Sequence, residues 1–288
     1  MNEQLLFKME SGTISSYLKY VNSRWKKEVL YYRRFRESKK FLNNNELIHT
    51  FFQPILNLKT GNTIGYETLN RPEQSKFFST TESFYEFIGQ TDQVFLFECF
   101  LRNLALKRYI DRLHECDEKN DLMIFVNIHP NVLLDNNYHA GETLQLLKEL
   151  NIAPEQVVFE LTEKSAVTDF CLFEKVLDHY RSQGFRIAID DVGSGYNSLK
   201  TLVYLKPEFI KLDKSLIQYI DQNEEQKQLV SLILEYANRS NTKIIAEGIE
   251  RIEELAYIQE QGVHYGQGYL LGRPKPDITK GNVPELVL

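Results

Sequence analysis

The run RIAIDDVGSGYNSLK, residues 186–200, joins a short apolar segment to two adjacent carboxylates and then to glycines. Ile187 and Ile189 alternate with Ala188, a pattern suited to a strand covered on both faces, as in a parallel sheet with helices outside it. The charge then falls at the strand's end. Asp190 and Asp191 side by side repel in a partly dry cleft, so the pair needs a counter-charge, shared protons or a divalent cation. Gly193 and Gly195 let the backbone turn sharply, and Tyr196-Asn197-Ser198-Leu199 reads as the opening of the next helix. The competing reading is an acidic strand-to-loop turn whose aspartates cap local amides.

Working outward from this stretch, the apolar runs from Thr50 onward form a series of eight: FFQPILNL, TIGYETL, MIFVNI, VVFELT, RIAIDD, FIKLD, KIIAEGI and YGQGYLLG. Segments of helical period lie between most of them, such as CLFEKVLDHYRSQG before the fifth and QKQLVSLILEYANRS before the seventh. Strands alternating with helices imply a parallel sheet, and eight of them predict a closed (β/α)8 barrel of the TIM type within the α/β class. The first link breaks the rule. Lys59-Thr60-Gly61-Asn62 is too short for a parallel crossover, so strands one and two are expected to form an antiparallel hairpin. An open doubly wound sheet is the alternative, but no glycine fingerprint follows the first strand.

The polar residue at the tail of each strand gives one list: Glu67, Asn127, Glu160, Asp190 with Asp191, Lys211, Glu247 and Gln267. In a barrel these tails converge on the C-terminal rim. Five carboxylates and one lysine need neutralising, and an all-oxygen set suits one or two hard cations such as Mg²⁺ or Mn²⁺, whereas zinc would draw His or Cys. His129, two residues past Asn127, reads as a loop or structural histidine. Two cations about 4 Å apart would activate water and stabilise charge on a phosphoryl oxygen, which points to phosphate-ester cleavage. Lys211 would orient the water or neutralise the developing anion, or else form a structural salt bridge. Arg71, just beyond Glu67, is placed to reach a substrate phosphate with its planar fork, its bland role being a surface ion pair.

Composition bounds the rest. The formal charge of -6 gives no ground for binding a nucleic-acid polymer. Cys99, Cys116 and Cys171 are odd in number and widely spaced, so neither a disulfide framework nor a zinc site is expected. No apolar run approaches the ~18 residues of a membrane span, and a soluble cytoplasmic protein is expected. Residues 1–45 stand apart as a basic helical arm, with 46–288 as the barrel domain. Leu18, Val21, Trp25, Val29, Tyr32 and Phe35 recur at spacings of three and four on a helix begun near Thr13 or Ser15. Ten lysines and arginines against four glutamates give this arm +6 and leave -12 for the remainder. Such an arm is expected to dock on its own chain or meet a partner, unless it is simply a solvated helix face.

With these residues assembled, the chain closely resembles the EAL-domain family, phosphodiesterases that hydrolyse the bacterial second messenger cyclic di-GMP. Glu67-Thr68-Leu69 stands in the signature position within FFQPILNLKTGNTIGYETLNRP, and FVNIHP, VVFELTE, AIDDVGSGYNSL, FIKLDKSLI, IIAEGIE and YGQGYLLGRPKP follow in order over residues 47 to 276. The resemblance implies that Glu67, Asn127, Glu160 and Asp190 hold one metal and that Asp190, Asp191 and Glu247 surround a second. It implies that Lys211 lies beside the hydrolytic water, that Glu247 is also a candidate general base, and that Gln267 is close to the metals. Glu163 would anchor the loop at 191–198, which in the family couples dimerisation to metal binding, so a homodimer is expected. Gln53, Leu69 and Arg71 would contact the dinucleotide. The implied reaction is metal-dependent opening of cyclic di-GMP to linear pGpG. The alternative is a catalytically silent receptor that signals through the arm or a protein partner. Departures are Thr68 for alanine, where a packing adjustment is expected, Val192 for phenylalanine, which removes bulk behind Asp191, and Asn70 and Pro72 around Arg71.

Overall fold

The computed structural model describes residues 3–115, 122–128, 142–162, 170–194 and 198–284. Their contacts divide the chain into two compact units, one of residues 1–48 with 72–88 and the other of residues 49–71 with 89–288.

The larger unit is a closed eight-stranded barrel, in the order β1 to β8. Its strands are β1 (Ile48–Asn57), β2 (Thr63–Pro72), β3 (Met123–Asn127), β4 (Val157–Thr162), β5 (Arg186–Val192), β6 (Phe209–Leu212), β7 (Lys243–Ala246) and β8 (Tyr265–Gly266). From β2 to β8 every neighbouring pair is parallel, while β1 runs antiparallel to β8. The eight expected strands and the reversed first strand are therefore present. The reversal comes from the tight connection after β1. The Asn57 side chain accepts from the amides of Lys59 and Thr60 at 2.9 and 3.0 Å, and Gly61 turns the chain at φ +74°.

Period-two alternation sorts each strand into two sides. The outward side, with Ile124, Phe159, Ile187, Ile210 and Ile244, packs under helices that include α5 (Phe170–Ser182) and α8 (Glu224–Ser240). The inward side begins with an apolar floor of Ile55, Phe125, Val158, Ala188, Phe209 and Ile245. Phe125 and Phe209 meet edge to face at 5.4 Å across it. Gly65 belongs to the same level. A Cβ there would lie 2.2 Å from the Met123 carbonyl oxygen, so β2 and β3 approach closely because this residue has no side chain.

Both departures in this region are accommodated. Thr68 is buried and donates from Oγ1 to the Phe125 carbonyl at 3.0 Å, and Val192 is fully buried in the outer apolar layer opposite Leu212. Cys99 is buried and in no disulfide among the described residues, its Sγ accepting from Arg102 Nη2 at 3.3 Å, and Cys116 lies outside the described residues.

In the smaller unit, α1 (Glu3–Asn43) begins well before the expected start near Thr13 or Ser15 and packs on α2 (Thr81–Ile88). Phe41 meets Phe84 edge to face at 5.1 Å, and Tyr31 meets Phe87 at 5.4 Å. The Arg34 guanidinium lies over Phe78 and Phe87 and donates to the Ser83 carbonyl at 3.0 Å. The packed face is thus Tyr31, Arg34, Ser38 and Phe41. Of the stripe picked out by periodicity, Leu18, Val21, Trp25 and Tyr32 are exposed, while Val29 and Phe35 are half-buried.

Candidate functional site

Advancing two residues along the strands from the apolar floor exchanges hydrocarbon for polar groups. Phe125 is followed on its face by Asn127, Val158 by Glu160, Ala188 by Asp190, Phe209 by Lys211, and Ile245 by Glu247. The barrel interior therefore carries a polar layer directly on a dry one. Glu67 enters it from the middle of β2, which runs on to Pro72, so here the expected strand tail is a strand centre. Glu247 follows β7, with its amide donating to the Leu212 carbonyl at 3.1 Å, and Gln267 follows β8.

Lys211 stands at the centre of this layer at 1% exposure. Its ammonium lies 2.6 Å from Glu160 Oε1, 2.8 Å from Glu247 Oε1, 3.5 Å from Asp190 Oδ1 and 3.6 Å from Glu67 Oε2. Asn127 donates from Nδ2 to Glu160 Oε2 at 3.2 Å and to Glu67 Oε1 at 3.5 Å. Gln267 donates from Nε2 to Glu67 Oε2 at 2.6 Å. Residues widely separated in sequence thus share one hydrogen-bonded cluster.

Asp191 reaches the same mouth through a bulge. Ile189 pairs with Ile210 and Val192 with Leu212, so β5 has one residue more than β6 across this interval. Asp191 takes up the excess in the left-handed region, at φ +58°, a conformation that aspartate tolerates better than most residues. Its amide donates to Asp190 Oδ1 at 2.9 Å. Oxygens of Asp190, Asp191 and Glu247 consequently lie within 4.8 Å of one another.

One cation among so many acids is too little. Burial pushes the Glu160 and Glu247 carboxyls well above the usual carboxylate range, and Asp190 above its own, against the pull of the Lys211 ammonium. Burial alone would also disfavour the ammonium, yet Asp190, Glu160, Glu247 and Glu67 together hold its pKa well above the ordinary value. Gln267 Oε1 is buried and has no hydrogen-bond partner among the described residues. An all-oxygen donor set with excess negative charge and an idle buried acceptor fits hard divalent cations.

The other expected residues are spread around this centre. Gln53, on β1, is buried and donates to the Gly272 carbonyl at 3.1 Å. Leu69 is half-buried on β2, and Arg71 is exposed, its guanidinium 4.9 Å from the centre of the Phe51 ring. Asn70 points elsewhere, accepting from Thr50 at 2.7 Å and donating to the Leu101 carbonyl at 3.0 Å. Glu163 and His129 lie outside the described residues, as do residues 195–197 of the glycine loop.

Glu254 is a residue that sequence reasoning missed. It is 1% exposed, on the first turn of α9 (Ile252–Glu260). Its carboxylate accepts from the amides of Tyr219 at 2.9 Å, Glu250 at 3.0 Å and Arg251 at 3.1 Å, pinning the loop that follows Glu247. The available signal was its place three residues after Arg251, where an acid commonly reaches back to the helix start.

A protein-family model for the EAL domain matches residues 35–274. The "Probable cyclic di-GMP phosphodiesterase PdeA" of Escherichia coli (strain K12) is 32% identical over 257 residues, covering 89% of this chain and 34% of that protein. The "Cyclic di-GMP phosphodiesterase RocR" of Pseudomonas aeruginosa is 28% identical over 240 residues, covering 82% of this chain and 59% of that protein. This chain therefore spans less than two thirds of either relative. Among solved structures, the EAL enzyme Bd1971 in its cAMP- and cyclic-di-GMP-bound form superposes with a TM-score of 0.72 at 28% identity, over 84% of this chain and 66% of that one. With a polar layer built from the expected strands and a family match over most of its length, the chain belongs to the EAL domain family.

Proposed function

We propose that this chain is a cyclic di-GMP phosphodiesterase that opens one phosphodiester of the ring to give linear 5′-pGpG, with two divalent cations, Mg²⁺ or Mn²⁺, as cofactors. The observation that carries the reading is the meeting of Glu67, Glu160, Asp190 and Glu247 around Lys211, with Asp191 turned back beside Asp190. The similar proteins described as cyclic di-GMP phosphodiesterases supply the substrate class.

In this reading Glu67, Asn127, Glu160 and Asp190 hold one cation, and Asp190, Asp191 and Glu247 hold the other. Bound there, such cations supply Lewis-acid polarisation of a phosphoryl oxygen and a lowered pKa for water. The chain's own groups do the remainder. Lys211, kept protonated by its acidic neighbours, offers hydrogens to an attacking water and charge to the developing phosphorane. Asn127 and Gln267 fix the Glu67 and Glu160 carboxylates through their amide hydrogens, so neither acid has to reorganise during the reaction. Glu247, 2.8 Å from Lys211, is both a cation ligand and a candidate general base. Arg71, stacked at the rim on Phe51, presents its fork to a phosphate of the dinucleotide, while Gln53 and Leu69 contact the substrate. Glu163 is retained as the anchor of the 191–198 loop in a homodimer.

A soluble cytoplasmic setting goes with the substrate. Among the described residues no helix is long and apolar enough to cross a membrane.

The test is incubation of the chain with cyclic di-GMP in Mg²⁺, in Mn²⁺ and in excess chelator, with products separated by ion-pair chromatography. Linear pGpG is expected in either metal and none in chelator. Asp190→Asn is expected to lower turnover at least about a hundredfold, since even partners behind a metal ligand are worth ten- to a hundredfold. Tight nucleotide binding with no pGpG in either metal would replace this reading with that of a receptor.

A further inference from the structure

Among the described residues, most of the apolar stripe of α1 is exposed. Leu18, Trp25 and Tyr32 are 60%, 67% and 65% exposed, Val21 is exposed with them and Val29 is half-buried. Spacings of three and four bring the five side chains onto one face over about 21 Å of helix. A column of cations runs beside it, because Lys19, Lys26 and Arg33 recur at every seventh residue. All three are exposed and make no ion pair among the described residues. The opposite face of α1 is already in use against α2. The stripe is therefore a second apolar surface, beyond what packing within the unit requires.

We propose that this face of α1 lies on an anionic lipid bilayer, with Leu18, Val21, Trp25 and Tyr32 entering the headgroup boundary and Lys19, Lys26 and Arg33 meeting the lipid phosphates. The charge is complementary, since the segment carries +6 while the rest of the chain carries -12 and would be repelled from such a surface. A tryptophan and a tyrosine beside aliphatic groups suit an interface that is apolar on one side and wet on the other. A nucleic acid would satisfy the cations but leave Leu18 and Val21 with nothing to bury against. A second copy packed stripe to stripe would bring the basic columns of both helices together, with Glu28 alone between them to offset the repulsion. Because no described helix can span a bilayer, the contact is one of lying on the surface.

The sole tryptophan of the chain, Trp25, makes the test direct, and neither nucleotide nor metal is needed. The full chain is titrated with phosphatidylcholine vesicles and with vesicles that also contain phosphatidylglycerol, following Trp25 emission and co-sedimentation. A blue shift and pelleting with the anionic vesicles, reversed by high salt, are expected. Lys26→Glu with Arg33→Glu should weaken binding at least about tenfold, given the contribution of each cation near an anionic surface. Val21→Asp should weaken it as well, while Lys107→Glu, on the barrel unit, should leave it unchanged. The proposal is overturned if Trp25 emission does not move and the chain stays in the supernatant, or if Lys107→Glu weakens binding as much as the stripe variants do. It is equally overturned if duplex DNA shifts the emission in place of lipid, or if light scattering finds a dimer that Val21→Asp dissolves.

Discussion

Lys211 Nζ and Glu160 Oε1 lie 2.6 Å apart, with both side chains sealed from solvent at the centre of the barrel. The pair is asymmetric. Glu160 has Asn127 as a second partner, whereas Lys211 is the only cation among the described residues that touches Glu67, Asp190 and Glu247 as well. Lys211→Met should therefore lower the unfolding free energy in chelator by about 3–5 kcal/mol, the usual cost of stranding one side of a buried pair. Mn²⁺ should restore part of that loss and leave turnover abolished. Urea denaturation with and without metal measures it, and an unchanged midpoint in chelator would mean that the acids already share enough protons to dispense with the lysine.

Gly65 sets how closely β2 can approach β3. Gly65→Ala forces a methyl group against the Met123 carbonyl and should cost about 1–3 kcal/mol, in the range of overpacked interiors. Glu67 is two residues further along the same strand, and its 3.5 Å contact with Asn127 should loosen with it. Calorimetry gives the first effect and Mn²⁺ titration the second. A variant that melts normally and binds Mn²⁺ as the parent does would show that the backbone yields there.

Glu254 satisfies three amides at once in a place closed to water. Glu254→Ala should destabilise the chain by about 2 kcal/mol or more, because buried donors are left unpaired. Glu254→Gln should cost less, since its amide keeps one acceptor oxygen. Hydrogen exchange at Tyr219, Glu250 and Arg251 is the direct readout, with the alanine variant losing protection at all three.

Acidification should weaken the seam between β7 and β8. His264 Nδ1 accepts from the Ile244 amide at 3.2 Å, and burial, with the Lys243 charge nearby, holds its pKa below the ordinary histidine value. The folded state therefore binds the proton less readily than the unfolded chain. Its contribution is complete above the unfolded value of about 6.5, shrinks as pH falls below it, and levels off at the folded value. Comparing thermal midpoints of the parent and His264→Gln from about pH 7.5 to 5.5 isolates the effect, and the parent should lose its advantage toward the acidic end. Parallel curves across that range would assign the loss to other groups.

Alternation made the strands readable. Runs such as MIFVNI and VVFELT put Phe125 with Asn127, and Val158 with Glu160, on one face by alternation alone. Level along the barrel axis was not readable, because periodicity carries no information about how far a strand continues, and Glu67 lies midway along β2. Nor could periodicity tell which side of α1 would find a partner, since Tyr31 and Phe41 are as apolar as Leu18 and Trp25. Glu254 escaped notice because an acid early in a helix usually serves only its own first turn, and Tyr219 is brought to it by the fold.

The bulge at Asp191 has an effect on what single-residue change can do. In an evenly pleated strand, neighbours face opposite ways, so two consecutive acids could never share a cavity. Deleting Asp191 would even out the pleat, leaving Ile189 and Val192 turned to the helices and Asp190 as the one acid of the pair still facing the opening. The descendant would keep its barrel and most of its charges while holding one carboxylate fewer at the opening, so a change invisible in composition would be decisive in chemistry.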